Sequence, residues 1–311
     1  MRGQAVVLHR PGEITLESLV LDAPTAADAV IATRWSGIST GTERLLWSGR
    51  MPDFPGMGYP LVPGYESVGE VVEAGPESGL RAGQTVFVPG ARCFGPVRGL
   101  FGGAASHLVS TGARLVPLDP ALAERGTLIA LAATAHHALA GIDLARPLLV
   151  VGHGVLGRLV ARIACALGGA LEVWETNPAR AAGGAGYAVR TPDAESRRDY
   201  ATILDVSGDS GILDAGIAHL APGGEIVLAG FYEARLAFAF APAFLREARI
   251  RVAAQWRPED LAATLALIEG DRLDLDGLVT HRRPAESAPD AYRTAFDEAG
   301  CLKMILDWSA A

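Results

Sequence analysis

Short apolar stretches, each broken by Gly, Pro or polar residues, run through the N-terminal part of the sequence. Several alternate apolar with polar side chains, which is the pattern of a strand with one buried face. We therefore predict a compact all-β unit over residues 1–123, with long loops between residues 35 and 75. Loops of that length in a compact unit are usually functional. The predicted strands cover residues 4–9, 13–19, 29–36, 67–74, 85–89 and 107–110.

Beyond this part the pattern changes to an alternation of helices and strands. An alanine-rich helix is predicted over residues 121–140, and a short apolar strand over residues 148–151 leads into an amphipathic helix. Strands separated by helices indicate parallel pairing, so the predicted fold class is α/β with a doubly wound parallel sheet. The other predicted strands are 171–174, 200–206, 225–231, 250–255 and 301–308, and the other helices are 211–219, 258–269 and 290–298.

The turn after the strand at residues 148–151 reads Gly152-His153-Gly154-Val155-Leu156-Gly157. Glycines in this pattern allow a tight turn, close approach of backbone N–H groups to a pyrophosphate, and close packing of helix on strand. Glu175 ends the next predicted strand, where such folds hold an acid for the ribose 2′-hydroxyl, which favours NAD over NADP. These seven residues are predicted cofactor contacts. A glycine loop that merely packs is the alternative, and Arg180 leaves a 2′-phosphate, and hence NADP, open.

Two further residues are predicted to contact the cofactor less directly. Asp205 and Ser207 close the strand predicted at residues 200–206, at the carboxyl edge of the sheet, where ligands bind in open α/β folds. His153, inside the glycine turn, is expected near the pyrophosphate rather than near the reacting atoms.

Composition excludes several classes of function. The 311 residues carry a net charge of −8, which argues against nucleic acid as the main partner. No apolar run approaches the ~18 residues that span a bilayer, and the first residues lack a signal-peptide pattern. Three isolated cysteines suggest a reducing cytoplasm. Lys303 is the single lysine, and we interpret this as compositional bias.

The strings GYESVGEVVEAG and LAPGGEIVLAG, placed around the glycine turn, resemble the medium-chain dehydrogenase/reductase superfamily. The resemblance implies a discontinuous GroES-like catalytic domain (residues 1–123 and 258–311) and an NAD-binding Rossmann domain (residues 124–257), with the active site in the cleft between them. Members of this superfamily often dimerise through the edge strand of the Rossmann sheet. Residues 250–255 are the candidate edge for a homodimer, and the oligomeric state stays open.

Longer strings, among them SGISTGTERLLWSGRMPDFPGMGYPLVPGYESVG and VPGARCFGPVRGLFGGAASHLV, resemble the dehydrogenases of bacteriochlorophyll biosynthesis. That resemblance implies oxidation of a 3-(1-hydroxyethyl) group to 3-acetyl on a magnesium tetrapyrrole, chlorophyllide or bacteriochlorophyllide, with NAD as the hydride acceptor. Two alternatives remain open. One is a zinc-free NADPH-dependent reductase of an enone or quinone, and the other is a non-catalytic cofactor-binding scaffold.

Zinc members of the superfamily hold a catalytic metal through three ligands. The matching positions here are Ser39, Tyr65 in Gly64-Tyr65-Glu66, and approximately Ala130, none of which is a good zinc ligand. We therefore predict metal-free chemistry, in which protein groups stabilise the alkoxide and take the proton.

The predicted catalytic residues are the phenol and carboxylate of Tyr65 and Glu66, a proton relay through Ser39 and Thr42, and His137 on the linking helix. Each has a structural alternative. The two hydroxyl residues can cap turns, Tyr65 can pack, Glu66 can pair with Arg44 or Arg50, and His137 or its neighbour His136 can be a core residue.

An apolar surface for a macrocycle is predicted in the loops, with an arginine for the substrate's propionate. The alternative is ordinary loop packing. The predicted apolar residues are Met51, Phe54, Met57, Tyr59, Phe94, Leu100 and Phe101, in and beside the loop that begins at Trp47, and the candidate arginines are Arg50, Arg92 and Arg98.

Overall fold

The computed structural model describes residues 1–52, 56–99 and 101–310. Most predicted strands are found within two or three residues of their expected bounds. The strands are β1 (Arg2–Arg10), β2 (Glu13–Val20), β3 (Asp28–Ile38), β4 (Ser67–Ala74), β5 (Thr85–Val88), β6 (His107–Thr111), β7 (Val116–Pro117), β8 (Leu148–Val151), β9 (Leu171–Trp174), β10 (Ala188–Arg190), β11 (Tyr200–Asp205), β12 (Leu220–Leu228), β13 (Arg249–Val252), β14 (Val279–Pro284) and β15 (Lys303–Asp307).

The helix predicted over residues 121–140 is two elements. A 3-10 segment, Pro120–Leu128, precedes the α-helix because Ala123 takes a positive φ of 47° that no α-helix accommodates. The α-helices are α1 (Thr42–Ser48), α2 (Ile129–Leu139), α3 (Val155–Ala166), α4 (Ile212–His219), α5 (Phe240–Leu245), α6 (Pro258–Glu269) and α7 (Ala288–Asp297). Among the described residues, none of these helices is long and apolar enough to cross a membrane.

The chain divides into two compact units. The first comprises Met1–Ala130 and the residues from Asp276 onward, and the second is Leu131–Leu275. The predicted boundaries lie earlier, after residues 123 and 257. Helix α6 falls in the second unit because His136 and His137 of α2 both contact Asp260 in its first turn.

The second unit is built on a parallel sheet of order β10-β9-β8-β11-β12-β13. This is the doubly wound Rossmann order, so the predicted α/β fold class is confirmed. All four residues of β8 are buried, as expected for a central parallel strand. A short 3-10 turn, Pro178–Arg180, takes the place of a helix between β9 and β10.

The first unit is a β-rich fold in which the last strand of the chain joins the first half. Its main sheet has the order β14-β15-β3-β4-β5-β7, and β6 pairs with β3. Strand β15 runs antiparallel to β3 and parallel to β14, so the C-terminal segment completes the sheet. The sheet therefore brings Ile38, at the end of β3, and Lys303, at the start of β15, close together although they are distant in sequence.

Lys303 in β15 is fully buried and forms an ion pair with Glu66, whose side chain is also fully buried. The Lys303 Nζ donates to Glu66 Oε2 at 2.6 Å and to the carbonyl of Ile38 at 3.2 Å. The single lysine therefore has a structural role, since it links β15 to the end of β3 and the start of β4.

We expect Lys303→Met to destabilise the protein by about 3–5 kcal/mol, because it leaves the Glu66 carboxylate buried without its ammonium partner. The double variant Lys303→Met/Glu66→Gln should recover much of this loss, since no buried charge remains. Urea denaturation at pH 8 would measure both free energies of unfolding. Equal stability of the wild-type protein and the single variant would contradict a structural role for the pair.

Candidate functional site

Two of the predicted catalytic hydroxyls meet in the first unit. Ser39 follows the end of β3 and Tyr65 precedes β4, and the antiparallel pairing of these strands brings both residues together. The Ser39 Oγ lies 2.6 Å from the Tyr65 Oη, so the two are hydrogen-bonded. Thr42, at the start of α1, is close enough to the Tyr65 hydroxyl to lower its pKa. The hydroxyls of three of the five predicted catalytic residues are thus brought together, and we refer to them as the hydroxyl chain.

The Tyr65 phenol is held in its protonated form. Burial raises its pKa above the ordinary value, and the nearby charge of Glu66 acts in the same direction. Its ring packs edge-on against Phe101, with the ring centroids 4.8 Å apart. A phenol in this state acts as a hydrogen-bond donor that passes a proton only while receiving another.

Glu66 follows Tyr65 directly but serves a different group. Its Oε2 accepts from Lys303, whereas its Oε1 has no hydrogen-bond partner among the described residues. The structural alternative in which Glu66 pairs with Arg44 or Arg50 is therefore wrong. The correct partner lies 237 residues away in sequence, which local spacing could not indicate.

The three positions that match zinc ligands do not fit a zinc ion. The hydroxyls of Ser39 and Tyr65 are hydrogen-bonded to each other, and the Ala130 side chain has no atom that could bind a metal ion. Within residues 1–52, 56–99 and 101–310, no group of three or more His, Cys, Asp or Glu side chains could hold a metal ion.

His137, the fifth predicted catalytic residue, is in the second unit and is joined to Asp260. The His137 Nδ1 lies 2.7 Å from one carboxylate oxygen of Asp260, and the His136 Nδ1 lies 3.1 Å from the other. Asp260 also accepts the Arg257 N–H at the start of α6. Although burial acts in the opposite direction, these three donors hold the pKa of Asp260 below its ordinary value. The contacts of His137 are those of a residue that fastens α6 to α2.

The glycine turn has the geometry that a pyrophosphate requires. A Cβ on Gly157 would lie 1.8 Å from the Gly152 carbonyl oxygen, so only glycine lets α3 begin here. A Cβ on Gly154 would meet one atom within 4 Å, the Arg180 Nη1 at 4.0 Å, so this side of the turn is open. Val155 starts α3 and is buried, while Leu156 is half-buried. The N–H groups at the start of α3 therefore fit a dinucleotide phosphate.

Glu175 lies beside this turn, as predicted for the acid at the end of the second strand. Its Oε2 accepts the His153 N–H at 2.9 Å, and its Oε1 accepts the Asn177 N–H at 2.7 Å. The carboxylate is thus fixed at the carboxyl end of β9 by two backbone donors. A charge fixed there would attract ribose hydroxyls and repel a 2′-phosphate.

His153 contributes its backbone to the turn, but its side chain points elsewhere. The fully buried imidazole contacts the Arg180 carbonyl at 2.7 Å and the Tyr187 hydroxyl at 2.9 Å. Burial lowers its pKa, so the ring is neutral near pH 7. These contacts commit both ring nitrogens to the segment after β9.

Arg158 is a residue of this region that the sequence pattern did not single out. It lies in α3, is 7% exposed, and donates to the carbonyls of His153, Arg180, Ala182 and Gly183. With His153 it holds the segment that replaces a helix after β9. Its position on the apolar-periodic helix, next to Gly157, was the available signal.

Asp205 and Ser207 form a small network at the end of β11. The fully buried Asp205 accepts from the Ser207 N–H at 3.1 Å and from the Ser207 hydroxyl at 2.6 Å. The Tyr232 hydroxyl donates to the other carboxylate oxygen. Burial raises the pKa of Asp205. The network shapes the loop at the carboxyl edge of the sheet beside Gly152, with which Ser207 is in contact.

The described residues of the predicted apolar surface separate into two groups, one in the core and one half-buried. Met51 and Phe94 are core residues, 8% and 3% exposed. Phe54 and Leu100 lie outside the described residues. The others, Met57, Tyr59 and Phe101, are half-buried around one core cluster of the first unit, as is Trp47 at the start of the loop. Arg50, Arg92 and Arg98 are exposed, and Arg98 contacts the Tyr59 carbonyl at 3.3 Å.

Comparison with known proteins agrees with this architecture. Residues 25–120 match the family model of the alcohol dehydrogenase GroES-like domain. The structure of L-idonate 5-dehydrogenase from Escherichia coli superposes with a TM-score of 0.87 at 17% identity, covering 99% of each chain, and this likeness concerns the fold alone.

Two curated relatives match along the whole chain. Both are named 2-desacetyl-2-hydroxyethyl bacteriochlorophyllide A dehydrogenase. The protein from Rhodobacter capsulatus is 56% identical over 100% of both chains, and that from Cereibacter sphaeroides is 55% identical over 100% of this chain and 99% of its own. The chain therefore belongs to the family of these bacteriochlorophyllide dehydrogenases, within the medium-chain dehydrogenase/reductase superfamily.

Proposed function

We propose that the protein oxidises the hydroxyethyl group of a magnesium (bacterio)chlorophyllide to an acetyl group, with NAD as the hydride acceptor and without zinc. The observation that carries the proposal is the 56% identity over the full chain to a relative with that substrate in its name. The fold by itself could not carry it, because one fold serves many substrates.

Oxidation of a secondary alcohol removes a hydride from carbon and a proton from oxygen. The bound nicotinamide would supply the hydride acceptor. In the first unit, the Tyr65 hydroxyl would hydrogen-bond to the substrate oxygen, and the hydroxyls of Ser39 and Thr42 would orient it and receive the proton. A preorganised set of hydroxyls would replace the metal as the group that stabilises the developing alkoxide.

The second unit would bind the cofactor through the turn Gly152 to Gly157 and through Glu175. The open side of Gly154 and the start of α3 suit the pyrophosphate, and the fixed Glu175 carboxylate suits an unphosphorylated ribose. Arg180, whose guanidinium lies near Gly154, would add a positive charge for the pyrophosphate.

For the substrate we propose the half-buried side chains Trp47, Met57, Tyr59 and Phe101 as the apolar wall. Phe101 packs on Tyr65, so a macrocycle lying against this ring would bring its hydroxyethyl group close to the hydroxyl chain. An arginine at the rim, Arg50, Arg92 or Arg98, would meet the propionate. We place this reaction in the cytoplasm.

The decisive experiment is incubation of the purified protein with NAD and a magnesium hydroxyethyl tetrapyrrole at the chlorin or bacteriochlorin level. We expect a red-shifted acetyl product and stoichiometric NADH. Tyr65→Phe should lower kcat by about 10²–10⁴-fold, the range of general acid–base catalysis. The control is Ser110→Ala, which removes a buried hydroxyl that has no partner among the described residues.

Two results would overturn the proposal in different ways. No product from either substrate would favour a cofactor-binding scaffold. Reduction of an enone or quinone with NADPH would favour the alternative reductase. If the product forms and Tyr65→Phe keeps the wild-type kcat, the substrate stands but the catalytic role of Tyr65 fails.

Cofactor preference follows from the charge of Glu175. We expect NADH to bind more tightly than NADPH, and Glu175→Gln to narrow the difference by about tenfold or more, since one charge interaction of about 1.4 kcal/mol corresponds to tenfold. Glu172→Gln on the same strand, whose carboxylate pairs with Arg190 at 3.0 Å, is the matched control. Fluorescence titration gives both Kd values, and tighter binding of NADPH by the wild-type protein would reject the assignment.

Strand β13 is an edge of the Rossmann sheet, and we propose that it joins two copies in a homodimer. Val252 is 74% exposed on this edge, and Phe240 and Phe244 of the neighbouring segment are 73% and 66% exposed. Light scattering should give a dimer for the wild-type protein and a monomer for Val252→Arg. Val72→Arg, on an exposed position of β4, should remain dimeric, and a monomeric wild-type protein would refute the proposal.

A further inference from the structure

A second carboxyl group lies behind the hydroxyl chain of the first unit. Glu43, in the first turn of α1, is 1% exposed. Its Oε1 accepts the Ser39 N–H at 3.1 Å, and its Oε2 has no well-formed hydrogen bond among the described residues, although the Tyr292 hydroxyl is close to the carboxyl group. Leaving a buried carboxylate oxygen without a good hydrogen bond costs free energy, which points to a functional role for Glu43.

The groups that face Glu43 come from every element packed around it. They are Glu66 and Tyr65 before β4, Lys303 of β15 and Tyr292 of α7. The Tyr292 hydroxyl is buried and also without a well-formed hydrogen bond among the described residues. The Lys303 ammonium is paired with Glu66 at 2.6 Å, and it therefore lies in a cluster that contains two carboxyl groups, those of Glu43 and Glu66.

Burial and the neighbouring charges bring the pKa of Glu43 close to neutral pH. Burial and the charge of Glu66 raise the pKa of Glu43 to about 8, while the Ser39 N–H, Tyr292 and Lys303 act in the opposite direction. A base whose pKa lies near the working pH is the most effective general base.

Glu43 also sets the geometry of the hydroxyl pair. It holds the backbone of Ser39, and the hydroxyl of the same Ser39 lies 2.6 Å from the Tyr65 hydroxyl. The Glu43 carboxyl group is therefore hydrogen-bonded to the backbone of the residue whose hydroxyl contacts Tyr65. Tyr65 itself stays protonated, so a proton received from the substrate has to be handed on.

We propose that Glu43 is the proton-accepting and positioning residue behind the Tyr65–Ser39 pair, an inference that rests on the proposed alcohol oxidation. The substrate O–H and C–H bonds break and a C=O bond forms. The hydride, with its electron pair, goes to the nicotinamide. The proton moves through the hydroxyls of Tyr65 and Ser39 to the Glu43 carboxylate, which becomes a neutral acid and later releases the proton to solvent.

The test is the pH dependence of kcat for oxidation. In the wild-type protein kcat should rise with pH and level off above about 8, since only the ionised carboxylate accepts a proton. Glu43→Gln keeps an oxygen acceptor for the Ser39 N–H but takes up no proton, so it should lower the plateau kcat by about 10²–10⁴-fold and remove this pH dependence. Glu43→Asp should restore a rising limb, and Glu73→Gln, an exposed carboxyl in β4, should behave as wild type.

A second measurement does not depend on turnover. An infrared titration of the wild-type protein should show a protonated carboxyl band that disappears as the pH rises through about 8, and Glu43→Gln should lack it. Thermal unfolding and NADH binding of the variant would show that it is folded. An unchanged pH profile in an active Glu43→Gln, or no such band in the wild type, would overturn the inference. An inactive wild-type protein that keeps the band would instead count against the proposed substrate.

Discussion

The buried ion pair between Lys303 and Glu66 is the interaction on which the first unit depends most. Two full charges are removed from water, and this is tolerated only because they lie 2.6 Å apart and Lys303 also donates to the Ile38 carbonyl. These contacts fix the last strand against the end of β3 and the start of β4. Ser39 and Tyr65 follow and precede those same strands, so the ion pair holds the frame in which their hydroxyls meet.

The same pair determines how the rest of the buried cluster is charged. Burial and the charge of Glu66 raise the pKa of Glu43 to about 8, and Lys303, which is paired with Glu66, offsets only part of this rise. In the second unit a different constraint serves the cofactor. Arg158 and His153 are both buried, and they hold the segment after β9 through its carbonyl groups. The glycine turn and Glu175 are thereby left to face a ligand.

Local pattern in the sequence was enough for much of the fold. Strand alternation, the spacing of Gly152, Gly154 and Gly157, and the acid at position 175 each depend on residues close in sequence. The contacts that sequence could not predict are long-range or context-dependent. Lys303 pairs with Glu66, which lies 237 positions away in sequence. Helix α1 is only seven residues long and lies among Gly, Ser and Thr residues, so the sequence pattern does not show that its Glu43 is buried. The inward orientation of the His153 side chain could not be predicted either, because its partner Tyr187 lies in an irregular segment before β10.

In the proposed reaction, a hydroxyl and carboxyl cluster takes the place of zinc. The most direct test is metal analysis combined with kinetics on protein dialysed against a strong chelator. We expect less than about one zinc per ten chains, since none of the three ligand positions offers a good zinc donor, with full activity and no stimulation when zinc is added. One tightly bound zinc per chain, with activity lost on its removal and restored by its return, would contradict it.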